Sequence, residues 1–342
     1  MPIAGLRRNK LTYEMFDIAR SADEARRLAK CERIYHRGQD LAWNGKEVFS
    51  ALLEKHGGIH VADARQRRAI ERIYTIILWG ELAAWKVSAQ LADGLEPLEA
   101  KMAATSQAHD EARHFYVMHD YLEALGHKPR QLERAPEALL ELVLGTKSLA
   151  HKLLGMQLMV ETLALTVFQT VRERDVEPVL TDLMRYFEKD EARHVGLGMQ
   201  YLPTLMRKMS RREVASLITF QARIMTWALM ELKLIEPDLR ALGIEPRLVM
   251  ERGRKKQMVA MGEAFDAMGL RLEDQDHIPA ATILAAGEFL FPEREFARPM
   301  RRLQAAWTKF RSYGLDADAV DELAVHHGHE LELARPVTHA AE

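Results

Sequence analysis

The chain repeats one pentapeptide, and this repeat constrains the fold more than any other feature of the sequence. Asp-Glu-Ala-Arg-His occurs at 110–114 and again at 190–194. In each half, a further glutamate stands 30 residues before the glutamate of the motif, so both halves read Glu…Glu-x-x-His with the same spacing. Equal spacing predicts two copies of one structural unit. The residues of the pattern are Glu81, Glu111 and His114, followed by Glu161, Glu191 and His194.

The spacing is typical of two antiparallel helical hairpins. Each residue of an α-helix rises about 1.5 Å, so residues equally far from a turn lie at the same height on the two helices. The first pair of glutamates flanks a Gly/Pro turn at 92–97 almost symmetrically, and the second pair flanks 174–178 in the same way. Residues three positions apart share one helix face. Each hairpin can therefore present two carboxylates and one imidazole to a common point.

Composition and hydrophobic periodicity predict an all-α chain. Only 12 Pro and 19 Gly separate long segments rich in helix-forming residues. Apolar residues recur every three or four positions from Ile70 to Trp85, as on a helix with one buried stripe. The predicted central helices cover about 65–91, 98–125, 149–172 and 177–201, with 127–146 crossing between the hairpins. Later helices are predicted over 211–242, 246–268, 280–290, 293–313 and 317–333.

We expect one domain over residues 1–342, because no Gly/Ser-rich or Pro-rich linker interrupts the chain. Its predicted parts are an N-terminal helical extension at 1–64, a four-helix core at 65–205 and a C-terminal helical extension at 206–342. The two motifs both fall in the core.

Charge and cysteine content exclude several classes of function. The chain has 48 Lys and Arg against 50 Asp and Glu, so it lacks the basic surface that binds nucleic acid. Its single cysteine, Cys31, allows neither an internal disulfide nor a Cys-based zinc site, which fits a reducing compartment. The sequence shows no signal peptide and no uncharged apolar stretch of membrane-spanning length. We predict a cytoplasmic protein without a membrane span.

The surroundings of the repeated residues favour a metal site over a solvated helix face. An isolated Glu-x-x-His on a charged helix is usually an ion pair or part of an exposed surface. Here Glu161 lies in LLGMQLMVETLALTVF and Glu81 in IILWGELAAW, where nearly every neighbour is apolar. A buried carboxylate is costly unless it is paired or bound to a metal. Four glutamates and two histidines suit two iron or manganese ions better than zinc or calcium, and iron is the first choice.

Each motif also supplies an aspartate and an arginine beside these candidate ligands. A metal-ligating histidine usually donates its other N–H to a carboxylate. We therefore expect Asp110 and Asp190 each to hold the histidine of the opposite motif, and Arg113 and Arg193 to balance their charge. The alternative is that these four residues form ion pairs on the helix surface, which contribute little to stability.

Apolar residues one helical turn from the candidate ligands could line a substrate pocket. Met and Phe at helical spacing are also common in plain hydrophobic cores, so both interpretations stay open. The candidates are Met118, Met156, Leu165, Phe168 and Phe187.

With this ligand pattern, the chain resembles the ferritin-like diiron-carboxylate superfamily over about residues 65–205. It is similar to the oxygen-activating branch, which includes diiron monooxygenases, acyl-carrier-protein desaturases, ribonucleotide reductase small subunits and ligand-binding oxidases. The resemblance implies a ferritin-like four-helix bundle. It also implies two Fe ions, or one Mn and one Fe ion, as cofactor, with O2 as a substrate. By the same likeness, Glu111 and Glu191 are bridging ligands at the catalytic centre.

The chain departs from several of these families. Ribonucleotide reductase small subunits carry a radical-bearing tyrosine where this chain has Met118, and arylamine N-oxygenases carry an extra histidine ligand where it has Phe187. No subfamily is assigned on these residues. Two classes of function stay open. One is an oxidase or monooxygenase that hydroxylates, desaturates or N-oxidises a small, largely apolar organic substrate, and the other is a ferroxidase or a radical-generating subunit.

Turnover as a monooxygenase requires two electrons from outside the metal centre. The sequence has no flavin, nicotinamide or Fe–S motif, and one cysteine cannot ligate a cluster. We therefore expect a separate reductase or ferredoxin as partner, unless the substrate supplies the electrons. Formation of a homodimer is left open.

Overall fold

The computed structural model describes residues 23, 25–266, 278–294 and 298–312. Within these residues the chain forms helices and no strand, so the predicted all-α class is confirmed. The helix predicted over 317–333 lies outside the described residues.

The helices succeed one another with short connections. The last of them begins at Pro299 rather than near residue 293 as predicted, and proline is favoured in the first turn of a helix. They are α1 Ala29–Asp40, α2 Gly45–His56, α3 Ala64–Gly94, α4 Leu98–Ala124, α5 Arg134–Gly145, α6 Leu149–Arg174, α7 Pro178–Met206, α8 Arg211–Leu234, α9 Glu236–Ala241, α10 Pro246–Asp266, α11 Ile278–Leu290 and α12 Pro299–Ser312.

Two helical hairpins form the centre of the fold. Helix α3 packs along α4, and α6 packs along α7. Helix α5 connects the hairpins and contacts α3 and α8. Helices α1 and α2 lie against α4 and α7, while α10 lies against α6 and α7. The predicted four-helix bundle with additional helices at both ends is confirmed.

Polar caps and a glycine mark several of the helix ends. The Asp63 side chain accepts a hydrogen bond from the Arg65 backbone N–H at 2.7 Å, which begins α3. Glu177 accepts one from the Leu180 N–H at 2.9 Å, which begins α7. Gly126 follows α4 with a φ of 79°, a left-handed conformation that favours glycine. These local signals set the lengths of the two hairpins.

Two further predicted helix boundaries are wrong, both next to a proline. The single helix predicted over 211–242 is divided into α8 and α9 just before Pro237, which has no N–H with which to continue the hydrogen-bond ladder. The predicted end of α7 before Pro203 is also wrong, because α7 continues to Met206. Pro203 lies in the last turn and removes only the one hydrogen bond that its own nitrogen would have donated.

Helix α6 contains an irregular segment that the hydrophobic pattern does not predict. Leu153–Val160 has π-helical hydrogen bonding and ends directly before Glu161. Helix α7 approaches this segment closely at Gly198, where an added Cβ would lie 2.9 Å from Gln157 Cβ and 2.8 Å from a Leu158 methyl carbon. Short π segments are rare and are frequent at functional sites.

The same helix is both long and apolar. Among the described residues, one helix, Leu149–Arg174, is long and apolar enough to cross a membrane by length and composition. Of its most apolar window, 72% is buried inside the protein. Its place in the bundle core therefore accounts for its apolar sequence.

The hydrophobic core divides into two clusters, one toward each end of the bundle. On each core helix, the buried apolar residues before the candidate ligand belong to one cluster and those after it belong to the other. On α3, for example, Leu78 and Ala84 lie on opposite sides of Glu81 and belong to different clusters. The repeated glutamates therefore occupy a polar layer between two apolar clusters.

Candidate metal centre

The structure brings all six repeated residues together in the middle of the bundle, and all six are buried. They form two groups, and the possible ligand atoms within each group lie within 4.8 Å of one another. A metal ion about 2.1 Å from each ligand separates opposite ligand atoms by roughly 4 Å, so each group has the size of one metal site. The groups are Glu81, Glu111, His114 and Glu191, and then Glu111, Glu161, Glu191 and His194.

Both histidines point the same ring atom at the carboxylates. His114 Nδ1 lies 3.3 Å from Glu81 Oε2. His194 Nδ1 lies 3.0 Å from Glu111 Oε1 and 3.3 Å from Glu161 Oε2. The two imidazole centroids are 6.0 Å apart. Nδ1 is therefore the ring atom available to a metal in both halves.

The other ring nitrogen of each histidine contacts an aspartate of the opposite motif. His114 Nε2 lies 3.0 Å from Asp190 Oδ2, and His194 Nε2 lies 3.4 Å from Asp110 Oδ2. Both aspartates are buried. This is the crossed arrangement expected for carboxylates that orient metal-ligating histidines.

Two buried arginines join the aspartates across the bundle. Arg113 Nη2 donates to Asp110 at 2.5 Å and to Asp190 at 2.8 Å. Arg193 Nη2 donates to Asp110 at 2.8 Å and to Asp190 at 2.7 Å. The four side chains form a closed buried ring rather than ion pairs on the surface.

Two glutamines at the centre were not among the predicted site residues. Gln107 Nε2 donates to Glu161 Oε1 at 2.7 Å and to Glu111 Oε1 at 3.0 Å. Gln157 Nε2 donates to Gln107 Oε1 at 3.2 Å. Each glutamine stands four positions before a candidate ligand and so shares its helix face, a signal that could have identified both.

Trp43, between α1 and α2, is a further unpredicted neighbour of the centre. Its indole Nε1 donates to Asp190 Oδ2 at 2.8 Å. The Arg113 guanidinium carbon lies 4.7 Å from the centre of the indole. Trp43 is 147 residues away from Asp190 in sequence and belongs to no motif, so the sequence carried no signal for it.

A cavity of about 110 Å³ adjoins the cluster. Glu81, Glu161 and Glu191 form part of its wall, and most of the remaining lining is apolar. An added Cβ on Gly80 would meet no atom within 4 Å, so open space lies beside the helix turn that carries Glu81. The arrangement gives an organic molecule room next to three of the candidate ligands.

The five residues predicted as pocket lining separate into two sets. Met156 lines the cavity beside the cluster. Phe187 instead stacks on His114, with ring centroids 4.1 Å apart and an interplanar angle of 17°. The four residues buried outside that lining are Met118, Leu165, Phe168 and Phe187.

Burial and neighbouring charge divide the glutamates into two pairs. Burial raises the pKa of Glu81 and Glu161 well above the ordinary value. Burial also acts to raise the pKa of Glu111 and Glu191, but hydrogen bonds and nearby positive charge outweigh it and lower both pKa values. The outer glutamates thus favour the protonated form and the shared glutamates the ionised form.

The histidines and aspartates form oppositely charged pairs. Burial acts to lower the pKa of His114 and His194, but the surrounding carboxylates raise it well above the ordinary value. Burial acts to raise the pKa of Asp110 and Asp190, but contacts with the histidines and arginines lower it. The charged forms of these four residues stabilise one another.

The cluster fits a pair of metal ions on its own chemistry. Among the described residues, Glu111 Oε2, Glu191 Oε2 and His114 Nδ1 are buried in the cluster without a hydrogen-bond partner. An unpaired buried polar atom costs about 1–3 kcal/mol. Mixed carboxylate and imidazole donors suit iron or manganese, and this ligand set is the one found in dimetal helical bundles.

Comparison with known families identifies a related group of enzymes. The family model of the p-aminobenzoate N-oxygenase AurF matches residues 76–264, which is more than half of the chain and includes all six candidate ligands. No curated protein matches the chain.

Solved structures of low sequence identity share the fold. One is a Synechococcus protein with aldehyde deformylating oxidase activity, at 16% identity and a TM-score of 0.53, which covers 66% of this chain and 98% of that one. Another is a variant of an R2-like ligand-binding oxidase with an aerobically reconstituted Mn/Fe cofactor. It has 18% identity and a TM-score of 0.54, with 68% of this chain and 93% of that one covered.

Proposed function

This chain belongs to the family of the p-aminobenzoate N-oxygenase AurF, and we propose that it is a diiron enzyme that uses O2 to oxidise a small, largely apolar organic substrate. One observation carries the proposal. Four buried glutamates and two buried histidines, three of their atoms unpartnered, meet beside an apolar cavity.

The side chains of this centre have distinct roles in holding the metal. Glu111 and Glu191, which belong to both groups, would help to hold both ions, and each histidine with its outer glutamate would complete one group. When bound, the two iron ions supply electrons for the reduction of O2. Asp190 accepts a hydrogen bond from the Nε2–H of His114, and Asp110 accepts one from the Nε2–H of His194. Each Nδ1 is then free for the metal. The proposed ligands are Glu81, Glu111, His114, Glu161, Glu191 and His194.

The cavity favours an organic substrate over iron storage. Its mostly apolar lining favours an apolar group over water in the space beside Glu81, Glu161 and Glu191. An apolar cavity of roughly 150 Å³ binds benzene. The cavity of about 110 Å³ is smaller than that, so it holds at most one small ring beside the metal centre.

Family membership favours N-oxidation among the three predicted reactions, because the matching family is named for an N-oxygenase. Hydroxylation and desaturation are the alternatives, since Phe187 stands where arylamine N-oxygenases carry an extra histidine ligand. A separate reductase or ferredoxin, a homodimer and a cytoplasmic location remain predictions from the sequence.

Anaerobic loading with Fe(II) tests the proposal. Metal-free protein is expected to bind about two ions per chain, and then to consume about one O2 per two irons. His114→Ala and Glu161→Ala each remove a ligand from one group and should abolish this O2 consumption. Glu141→Gln removes an exposed carboxylate on α5 and should react like the wild type. Binding of less than one iron per chain, or O2 consumption at the wild-type rate in both ligand variants, would overturn the proposal.

The same experiment separates the two classes of function. O2 uptake that depends on an added organic compound supports an oxygenase or oxidase. O2 uptake that no organic compound alters, together with deposition of ferric mineral, would support a ferroxidase instead.

A further inference from the structure

Glu231 of α8 lies where two cavities meet. It lines the cavity beside the metal cluster and a second cavity of about 110 Å³ between α6, α8, α10 and α11. Leu163 and Val167 also line both cavities. A substrate that extends from one cavity into the other would therefore lie against these three side chains, of which Glu231 is the only polar one.

The carboxylate of Glu231 has no partner among the described residues. The side chain is half-buried, and no described residue forms an ion pair or a hydrogen bond with it. Burial alone raises the pKa of this carboxyl to about 7. A carboxylate among apolar side chains costs free energy until a hydrogen-bond donor or a cation satisfies it. No described residue supplies that partner, so water or a ligand must supply it.

The ionisable side chains that line the inner cavity are all acidic. The described residues of its lining include four glutamates and no Lys, Arg or His. Metal ions bound by the cluster would neutralise three of them, Glu81, Glu161 and Glu191. Glu231 is then the charged side chain that a substrate meets.

We infer that Glu231 is a specificity-determining residue, which selects substrates carrying a cationic or hydrogen-bond-donating group and rejects anionic ones. The inference rests on the proposed function, because it names the substrate class of the same cavity. It also separates this chain from the substrate named in its family, since p-aminobenzoate carries a carboxylate opposite its amino group. In this cavity that carboxylate would meet Glu231.

Arg254 does not offset this charge in the inner cavity. It lines only the second cavity, where its Nη1 lies 3.1 Å from the Met258 sulfur, and it forms no ion pair with Glu231. Arg254 could therefore accommodate an anionic group only in the second cavity. The inner cavity keeps its preference for a cationic or hydrogen-bond-donating group.

Binding of three ring compounds of nearly equal size tests the inference. They are 4-aminobenzamidine, which is cationic, 4-aminobenzamide, which is neutral, and 4-aminobenzoate, which is anionic. We expect the wild-type protein to bind the cation at least about tenfold more tightly than the anion, as a charge-assisted hydrogen bond requires. Glu231→Gln should reduce that ratio to within about twofold. Glu231→Asp keeps the charge and should keep the order of affinities. The control variant Glu141→Gln should keep the wild-type ratio of the affinities for the cation and the anion.

Two outcomes would overturn the inference: equal binding of the three compounds by the wild type, or a wild-type ratio in Glu231→Gln. Circular dichroism of each variant verifies that it folds. If Glu231→Gln does not fold, the inference is tested by two other results. These are the ratio of the wild-type affinities for the cation and the anion, and the order of affinities in Glu231→Asp. Binding is measured with both metal-loaded and metal-free protein. Failure of the O2 reaction would thus count against the proposed function while leaving the measured ratio in place.

Discussion

The two hairpins of the bundle carry the same five-residue motif in different surroundings. In both hairpins, a histidine Nδ1 faces the carboxylates, its Nε2 contacts the aspartate of the other motif, and the arginines donate to both aspartates. The repeated residues therefore build one arrangement twice. The surrounding residues break that symmetry.

Three differences distinguish the hairpins. Glu81 stands in a regular α-helix, whereas Glu161 follows the π-helical segment Leu153–Val160. Four positions before the motif glutamate, the first hairpin has Gln107 and the second has Phe187. Trp43 donates to Asp190, and Asp110 has no such contact with it. The repeat therefore sets the candidate ligands, while the unrepeated residues give each of the two groups its own environment.

The largest expected effect is on metal content, and it distinguishes glutamates that belong to both ligand groups from those that belong to one. Glu111→Ala removes a ligand from both groups, so the purified variant should lose both ions after loading and dialysis. Glu81→Ala removes a ligand from one group only and should retain about one ion per chain, held by the group that contains His194. Elemental analysis of the metal content provides the measurement. Equal metal content in the two variants would show that Glu111 is not shared.

The next largest effect is expected on metal affinity, and it tests whether Asp110 and Asp190 have equivalent roles. Asp110→Asn and Asp190→Asn should each weaken metal affinity by about 10 to 100-fold, because each orients one ligating histidine. Titration with Fe(II) under anaerobic conditions measures this loss. Trp43→Phe removes one hydrogen bond to the ionised Asp190 and none to Asp110, and it should lower the free energy of unfolding by about 1.5–3 kcal/mol. Wild-type affinity in both aspartate variants would contradict their proposed role.

Substitution of two glycines on α7 tests how closely this helix packs against the π-helical segment Leu153–Val160. Gly198→Ala places a Cβ 2.8 Å from Leu158 and should lower the free energy of unfolding by about 1–3 kcal/mol. Gly196→Ala meets its nearest atom, on Ile34, at 3.6 Å and should be neutral or stabilising by up to about 1 kcal/mol. Urea denaturation of the metal-free proteins compares them. Equal stabilities would mean that the π segment moves to accept the methyl group.

The smallest difference between the hairpins is expected in the pH dependence of stability, because the pKa shifts in the two hairpins have the same direction. The pKa of His114 and His194 is raised in the folded protein, so their contribution to stability is complete below the ordinary pKa of about 6.5 and is lost as the pH rises through the raised value. Metal-free protein should therefore be less stable at about pH 9 than at about pH 6, judged by urea denaturation.

Glu81→Gln and Glu161→Gln should each weaken this pH dependence to a similar extent, since burial raises the pKa of both glutamates. A large difference between these variants would show that the two halves are not electrostatically equivalent.

The sequence predicted the core of the site because two regularities reinforced one another. The repeat identified the residues, and the helical rise placed Glu81 level with Glu111 across the first turn. The π segment was not predicted, because LLGMQLMV has the composition of an ordinary apolar helix. Trp43 and Glu231 belong to no repeat and reach the centre or its cavity only through the packing of other helices. Tertiary contacts of this kind leave no local pattern.

The ring of two aspartates and two arginines is neutral, and this has a consequence for metal loading. The four glutamates of the cluster are left with four negative charges. In the metal-free protein, protons balance them, two on the histidines and two on Glu81 and Glu161, in accord with the raised pKa values of these residues. Two divalent ions bring the same positive charge. Loading therefore exchanges about four protons for two ions, so the protein releases acid as it takes up metal and binds metal more tightly as the pH rises, which titration of the released acid measures directly.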